Sequence, residues 1–198
     1  MCGGVSINLM ATSVVRCLLK IASTHYVSKI VSLTNLAFSK DAFFKREEYH
    51  NRFTEEDVLE MMTTEENGCF LIAIKEEDGE EDNDEVYGSL YLKWNKEGKD
   101  KLVGHFSAVS VNPLYEKRGI GGQLIKAAED KLRTVALEFA CRLIVIEMGV
   151  INQRADLFPW YMKQGFKIIG EIRDDPELAR IILPKMDVYL VLMSKEVL

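Results

Sequence analysis

The sequence predicts a single mixed α/β domain: a mostly antiparallel sheet of about seven strands flanked by about four helices. Three observations predict it. Three apolar runs follow one another between residues 69 and 111 with only polar turns between them, the pattern of an antiparallel meander. A run of period 3.6 starts at Gln123, directly after a glycine-rich turn. Short apolar runs then alternate with helical or irregular segments to the end of the chain. The 198 residues suffice for one domain with a substantial core, and no internal repeat or Ser/Gly linker divides them. Residues 1–13 are read as a disordered N-terminal end and residues 14–198 as the domain.

Val14 to Ala22 is β-branched and apolar and reads as a first strand. Ser23 or Thr24 can cap the helix that follows, in which Val27, Ile30, Val31, Thr34, Ala37 and Phe38 share one face. "SKDAFFKREEYHNRF" breaks that spacing and reads as a loop. Thr54 before "EEDVLEMM" predicts a second, short helix, with acidic residues placed at its positive end. The meander comprises 69–75, 86–94 and 102–111; its first turn, 76–85, is too acidic for a core. Pro113 ends the third of these strands, since proline cannot donate to a central ladder. From Gln123, Leu124, Ala128, Leu132 and Phe139 make a helical face. Residues 141–150 form a buried type of strand, 155–164 a short helix stopped by Gly165, and 166–172 another strand. Residues 173–185 read as an irregular connection with two prolines, and 187–195 as the last strand.

The formal net charge of −6 argues against general nucleic-acid binding, which needs a basic face. No run approaches the ~18 apolar residues of a membrane-spanning helix. Cys2, Cys17, Cys69 and Cys141 are far apart and lack metal-ligand spacing, so the expectation is reduced thiols, a cytoplasmic setting and no metal. The first forty residues hold no Asp or Glu, a trait of organelle-targeting segments, but "VVRCLLKIAS" is better read as a strand. Nothing in the pattern selects an oligomeric state, a homodimer included.

Three glycines, Gly119, Gly121 and Gly122, stand where the long helix begins, just after Lys117 and Arg118. Glycine costs a helix about 1 kcal/mol relative to alanine, so the entry needs another reason. A strand, a glycine turn and a helix start make an anion site: backbone N–H groups can approach a ligand closely, and the first helical turn leaves them without partners. Residues Glu116, Lys117, Arg118, Gly119, Ile120, Gly121 and Gly122 are the candidate phosphate cradle. The P-loop pattern fails because Gln123 and Leu124, not Lys-Ser/Thr, follow Gly122. The dinucleotide pattern fails because Leu124 stands where its third glycine belongs.

"VSVNPLYEKRGIGGQLIKAAEDKL" resembles the acyl-CoA signature of the GNAT N-acetyltransferase superfamily: a strand ending V-x-P, then Q/R-x-x-G-x-G/A, then an amphipathic helix. "NQRADLFPWYMKQGFK" resembles that family's second motif, with Asn152, and with Tyr161 four residues before Gly165 and Phe166. In element order the resemblance runs from about residue 14 to 195. The chain departs from the pattern in having Glu116 at the Q/R position, and in a longer spacing from Asn152 to Tyr161. The resemblance implies a sheet splayed between its fourth and fifth strands, with acetyl-CoA as co-substrate. It implies contacts from Val109, Ser110 and Val111 to the pantetheine arm, from residues 116–122 to the pyrophosphate, and from Asn152 to the cofactor. It also implies that Tyr161 protonates the leaving thiolate. The reaction expected is direct transfer of acetyl to a primary amine of a small molecule, through a ternary complex. A peptide or protein amine, or a non-catalytic acyl-CoA sensor, stays open as an alternative.

Such a transfer needs a base, because alkylammonium groups titrate near 10. Two residues are candidates. His105 has the right titration range, and its strand parity matches Val109 and Val111. Glu147 is a carboxylate inside the apolar run "LIVIEMGV", where a charge should be paired or functional. The loops Lys40–Phe53 and Asp174–Lys185 are expected to border the acceptor.

Overall fold

A computed structural model describes residues 14–75 and 84–197. The N-terminal end and most of the acidic turn at 76–85 therefore lie outside the described residues. The elements are β1 (Cys17–Ile21), α1 (Val27–Phe38), α2 (Glu55–Thr63), β2 (Gly68–Lys75), β3 (Val86–Glu97), β4 (Lys101–Val111), α3 (Ile120–Glu138), β5 (Leu143–Ile151), α4 (Phe158–Lys163), β6 (Lys167–Ile172), α5 (Pro176–Ile181) and β7 (Leu190–Val197). One seven-stranded sheet runs in the order β1-β2-β3-β4-β5-β7-β6. The β4–β5 pair is parallel, and the other neighbours are antiparallel.

The helices follow local chemistry. Thr54 and Asp57 close a reciprocal cap on α2, with the Asp57 N–H donating to Thr54 Oγ1 (3.1 Å) and the Thr54 N–H to Asp57 Oδ2 (2.7 Å). The start of α1 differs from expectation: a 3-10 turn over Thr24–Tyr26 leads into it, and no side chain caps it. The connection read as irregular contains α5. Asp175 Oδ1 accepts from the N–H groups of Glu177 (2.9 Å) and Leu178 (3.0 Å), and Pro176 occupies the first helical turn. Proline there loses nothing, because that N–H has no helical partner in any case.

Two cores cover the two faces of the sheet. On one, α3 lays Leu124, Ile125, Ala128 and Leu132 against Leu90, Leu102, Phe106 and Ile146. On the other, Val27, Ile30 and Leu33 of α1 and Val58 of α2 pack on Phe70, Ile72 and Tyr91. Gly104 permits the close approach of α3, since a Cβ there would lie 2.5 Å from the Leu132 side chain.

Two features of β4 shape the middle of the sheet. It pairs with β5 only from Lys101↔Leu143 to His105↔Glu147, after which the strands part. This is the expected splay. Within the diverging part a bulge interrupts the β3–β4 register between Ser89↔Ser110 and Tyr91↔Ser107, with Ala108 at φ 51°. A bulge inserts one residue and so reverses which numbers face which side. Before it, Gly104 and Phe106 face α3; after it, Val109 and Val111 do. The expected shared parity of His105 with Val109 and Val111 is thus corrected: alternation from Gly104 and Phe106 turns His105 to the opposite face.

Candidate active site

The β4–β5 opening leads to the loop that enters α3. Lys117 (φ 61°) and Gly119 (φ 83°) both take left-handed backbone, which turns successive N–H groups toward one concave side. Gly119 is the N-cap of α3 and no side chain caps that end; the Gln123 N–H reaches back to its carbonyl (3.1 Å). The N–H groups of the first turn are then available to an anion. The glycines divide the work. Gly119 supplies the left-handed turn at low cost. Gly121 makes room for Trp160, whose Cζ2 would lie 3.0 Å from a Cβ at that position.

The chain before β1 straps this loop. The Val15 N–H donates to the Arg118 carbonyl (3.1 Å), Gln123 Nε2 donates to the Val15 carbonyl (2.7 Å), and the Cys17 N–H donates to Gln123 Oε1 (3.4 Å). Glu116, an acid beside an expected anion site, is ion-paired with Lys40 at 2.6 Å. Arg118 stacks over the Tyr115 ring, 5.4 Å from its centroid. A shallow groove of about 450 Å³ beside the loop is lined by Leu19, Gly119, Gly122, Gln123, Lys126 and Asp130.

Val109 and Val111 line the opening on the α3 side, and Ser110 is buried. The Ser110 hydroxyl donates to the Ala108 carbonyl (2.9 Å) inside the bulge. What Ser110 can offer a ligand is its backbone.

Tyr161 of α4 is packed in the α3-side core, between Trp160 (centroids 4.6 Å), Phe166 (6.0 Å) and Phe106 (6.5 Å). Burial pushes its phenol well above the usual range, and the nearby Arg154 charge opposes this only in part. No hydrogen bond from its hydroxyl is formed among the described residues. His105 and Glu147 come together as register partners on the last β4–β5 rung, His105 exposed and Glu147 half-buried. They lie on the face opposite to Tyr161's core, so the sheet stands between the acid and base candidates.

Asn152 stands directly after β5. Its Nδ2 donates to the Asp187 carbonyl (3.0 Å) and its Oδ1 accepts from the Tyr189 N–H (3.0 Å). The side chain ties the end of β5 to the chain entering β7.

The motif reading passed over Arg154, although it stands in "NQRADL". Arg154 is held by Asp41 (2.9 Å) and Asp156 (3.0 Å). Asp41 belongs to the α1–α2 connection, and beside it lie Lys45 and Arg52. Burial pushes the Lys45 ammonium down, against the pull of Asp41. This connection is fastened to the one after α5 by a Lys45↔Ile182 bridge, by the Arg46 N–H on the Ile181 carbonyl (2.9 Å) and by the Leu183 N–H on the Phe44 carbonyl (2.9 Å). The loops expected to border the acceptor do adjoin. A signal for the cluster existed in the basic residues of "KREEYHNRF", but nothing local says which of them turn inward. Among the described residues no group of His, Cys, Asp and Glu side chains could hold a metal ion, and no helix is long and apolar enough to cross a membrane.

Comparison with known proteins bears on this arrangement. The profile of the acetyltransferase (GNAT) family matches residues 30–166. No curated protein matches the sequence. Among solved structures the fold is similar to PaiA N-acetyltransferase from Thermoplasma acidophilum in complex with coenzyme A, with a TM-score of 0.63, 17% identity, and 91% of this chain and 99% of that chain covered. It is similar to aminoglycoside 6'-N-acetyltransferase complexed with coenzyme A (TM-score 0.60, 16% identity, 91% and 97% covered). It is also similar to Arabidopsis thaliana Naa50 in complex with a bisubstrate analogue (TM-score 0.61, 17% identity, 91% and 99% covered). At these identities the likeness is one of fold.

Proposed function

The chain belongs to the acetyltransferase (GNAT) family, and on that premise we propose that it transfers acetyl from acetyl-CoA to a primary amine of a small molecule, by direct attack within a ternary complex. The observation that carries the reading is the β4–β5 opening ending at an uncapped helix start with two left-handed residues in its approach. Structures of this fold with coenzyme A support the choice of co-substrate.

In this reading the backbone N–H groups from Lys117 to Gly122 hold the pyrophosphate. Lys40 neutralises Glu116, so the acid in the loop repels the ligand less. The backbone of Val109, Ser110 and Val111, released from β5, pairs with the pantetheine arm. Asn152 acts by fixing the far edge of the opening rather than by touching the ligand. Glu147, with His105 beside it, takes a proton from the acceptor ammonium, directly or through water. The neutral amine nitrogen then bonds to the thioester carbon, the C–S bond breaks, the Tyr161 phenol gives its proton to the departing thiolate, and the second proton that the nitrogen sheds on becoming an amide restores the phenol, directly or through water. Burial keeps this phenol protonated at neutral pH but also makes it a weaker acid, so the Arg154 charge, which pulls the other way, is what favours donation.

A small acceptor is favoured over a peptide by the bonds that join the α1–α2 connection to the segment after α5, which narrow the acceptor side. The test is a panel of small amines and peptides with acetyl-CoA, read as free thiol. Thiol release with small primary amines is expected. Release with peptides alone selects the peptide reading, and acetyl-CoA binding without release to any amine selects a non-catalytic role.

A further inference from the structure

The charges beside Arg154 do not cancel. Lys45, Arg52 and Arg154 face two carboxylates, Asp41 and Asp156, and both carboxylates are engaged by Arg154. Lys45 is 6% exposed, yet no hydrogen bond or ion pair within 4.0 Å holds its ammonium among the described residues. Its neighbours are the rings of Phe38 (5.6 Å to the centroid) and Phe44 (5.9 Å). Arg52, an exposed residue, sets its guanidinium by the same Phe38 ring (5.8 Å) and by Phe53 (5.4 Å), again with no carboxylate in hydrogen-bond reach among the described residues. In a chain of net charge −6, these five side chains leave a surplus of one positive charge beside aromatic rings. A largely buried lysine with no partner among the described residues is costly, and a bound anion would supply the missing counter-charge.

We propose that Lys45 and Arg52 form an anion subsite that receives a carboxylate of the acceptor, so that the acceptor is a primary amine bearing a carboxylate, of amino-acid type. Three points support it. The subsite borders the acceptor side, because Lys45 itself bridges to Ile182. It is coupled to the reaction centre, because Asp41 binds the Arg154 whose charge acts on Tyr161. The surplus of a single charge matches a monoanion better than a phosphate dianion. The surrounding phenyl rings provide an apolar wall for the rest of the acceptor. The inference rests on the acetyltransferase reading.

The experiment compares L-phenylalanine with L-phenylalaninamide, and L-methionine with L-methioninamide, as acceptors for the wild-type protein, Lys45→Met and Arg52→Met. The quantity read is the acid-to-amide ratio of kcat/KM; changes between variants in that ratio cancel the intrinsic reactivity of each amine. A charge-assisted contact predicts a fall of roughly tenfold or more in the ratio for either variant. Lys45→Met should also raise the melting temperature, since it replaces a largely buried lysine that has no partner among the described residues with an apolar side chain. A ratio unchanged in both variants overturns the subsite while leaving the acetyltransferase intact. Calorimetric binding of N-acetylphenylalanine against its amide gives the same comparison without turnover. Weaker binding of the acid to the variants, with no turnover of any amine by the wild type, would keep the subsite and reject the enzyme reading; equal binding would reject the subsite.

Discussion

Gly121 offers a test of how the anion loop is built. The first expectation for this position would be that a side chain here collides with the bound phosphate. The structure says that it collides with Trp160: a Cβ would lie 3.0 Å from Cζ2, 3.3 Å from Cη2 and 3.8 Å from Val111 Cγ2. Two effects then oppose each other. Removing a helical glycine gains up to about 1 kcal/mol for alanine and about 0.4 kcal/mol for valine. Forcing atoms into a packed site costs about 1–3 kcal/mol, more for valine's two methyls than for one. Gly121→Ala should therefore stay within about 1 kcal/mol of the wild type, while Gly121→Val should lose about 1–2.5 kcal/mol. In a chain of this length that is a fall of roughly 2–10 °C in melting temperature. Urea unfolding without ligand measures both, and Trp160→Phe, which removes the colliding edge, should restore part of the loss. A double-mutant cycle should give a coupling of about 1 kcal/mol. A valine variant as stable as the wild type, or a coupling below about 0.3 kcal/mol, would refute the packing account and return the glycine to the ligand.

Tyr161→Phe should lower kcat by roughly ten- to a thousandfold with acetyl-CoA affinity nearly unchanged, and steady-state kinetics with calorimetry would check it. Glu147→Gln and His105→Gln should flatten the acidic limb of the pH–rate profile if they carry the base, Glu147→Gln raising KM as well; no change in either places the base elsewhere. Lys40→Met should weaken acetyl-CoA binding several-fold by leaving Glu116 unpaired beside the loop, and Glu116→Gln in the same chain should reverse it; identical dissociation constants would dismiss the neutralising role. The Tyr91 hydroxyl is buried without a hydrogen-bond partner among the described residues, so Tyr91→Phe should stabilise the fold by about 1 kcal/mol in urea unfolding. Burial pushes the same phenol up to about 12 from an ordinary value near 10. The folded chain therefore binds more protons than the unfolded chain above pH ~10, and stability must fall from there through pH ~12, less steeply in Tyr91→Phe.

Much of this protein is legible in its sequence because the determinants are local. The short apolar runs "CFLIAIK" and "VYGSLYLKW", bounded by polar turns, mark sheet, the period from Gln123 marks α3, and Thr54 with Asp57 marks the start of α2. The glycine entry after V-x-P marks an anion site because its chemistry is backbone chemistry, set by residues next to one another. Tertiary structure decided what depends on distant partners. One extra residue at Ala108 reverses the strand parity that the spacing of His105 from Val109 and Val111 predicts, and no pattern within the strand announces it. Lys40 reaches Glu116 across 76 positions, and Asp41 reaches Arg154 across 113. Asn152 carries a motif's letter but spends its amide on the chain entering β7. Hydrophobic periodicity determines which face of an element is buried. Which charge meets which, and which cation is left without a partner, is settled only when separate elements close on one another, because an electrostatic contact depends on distance in space and not along the chain.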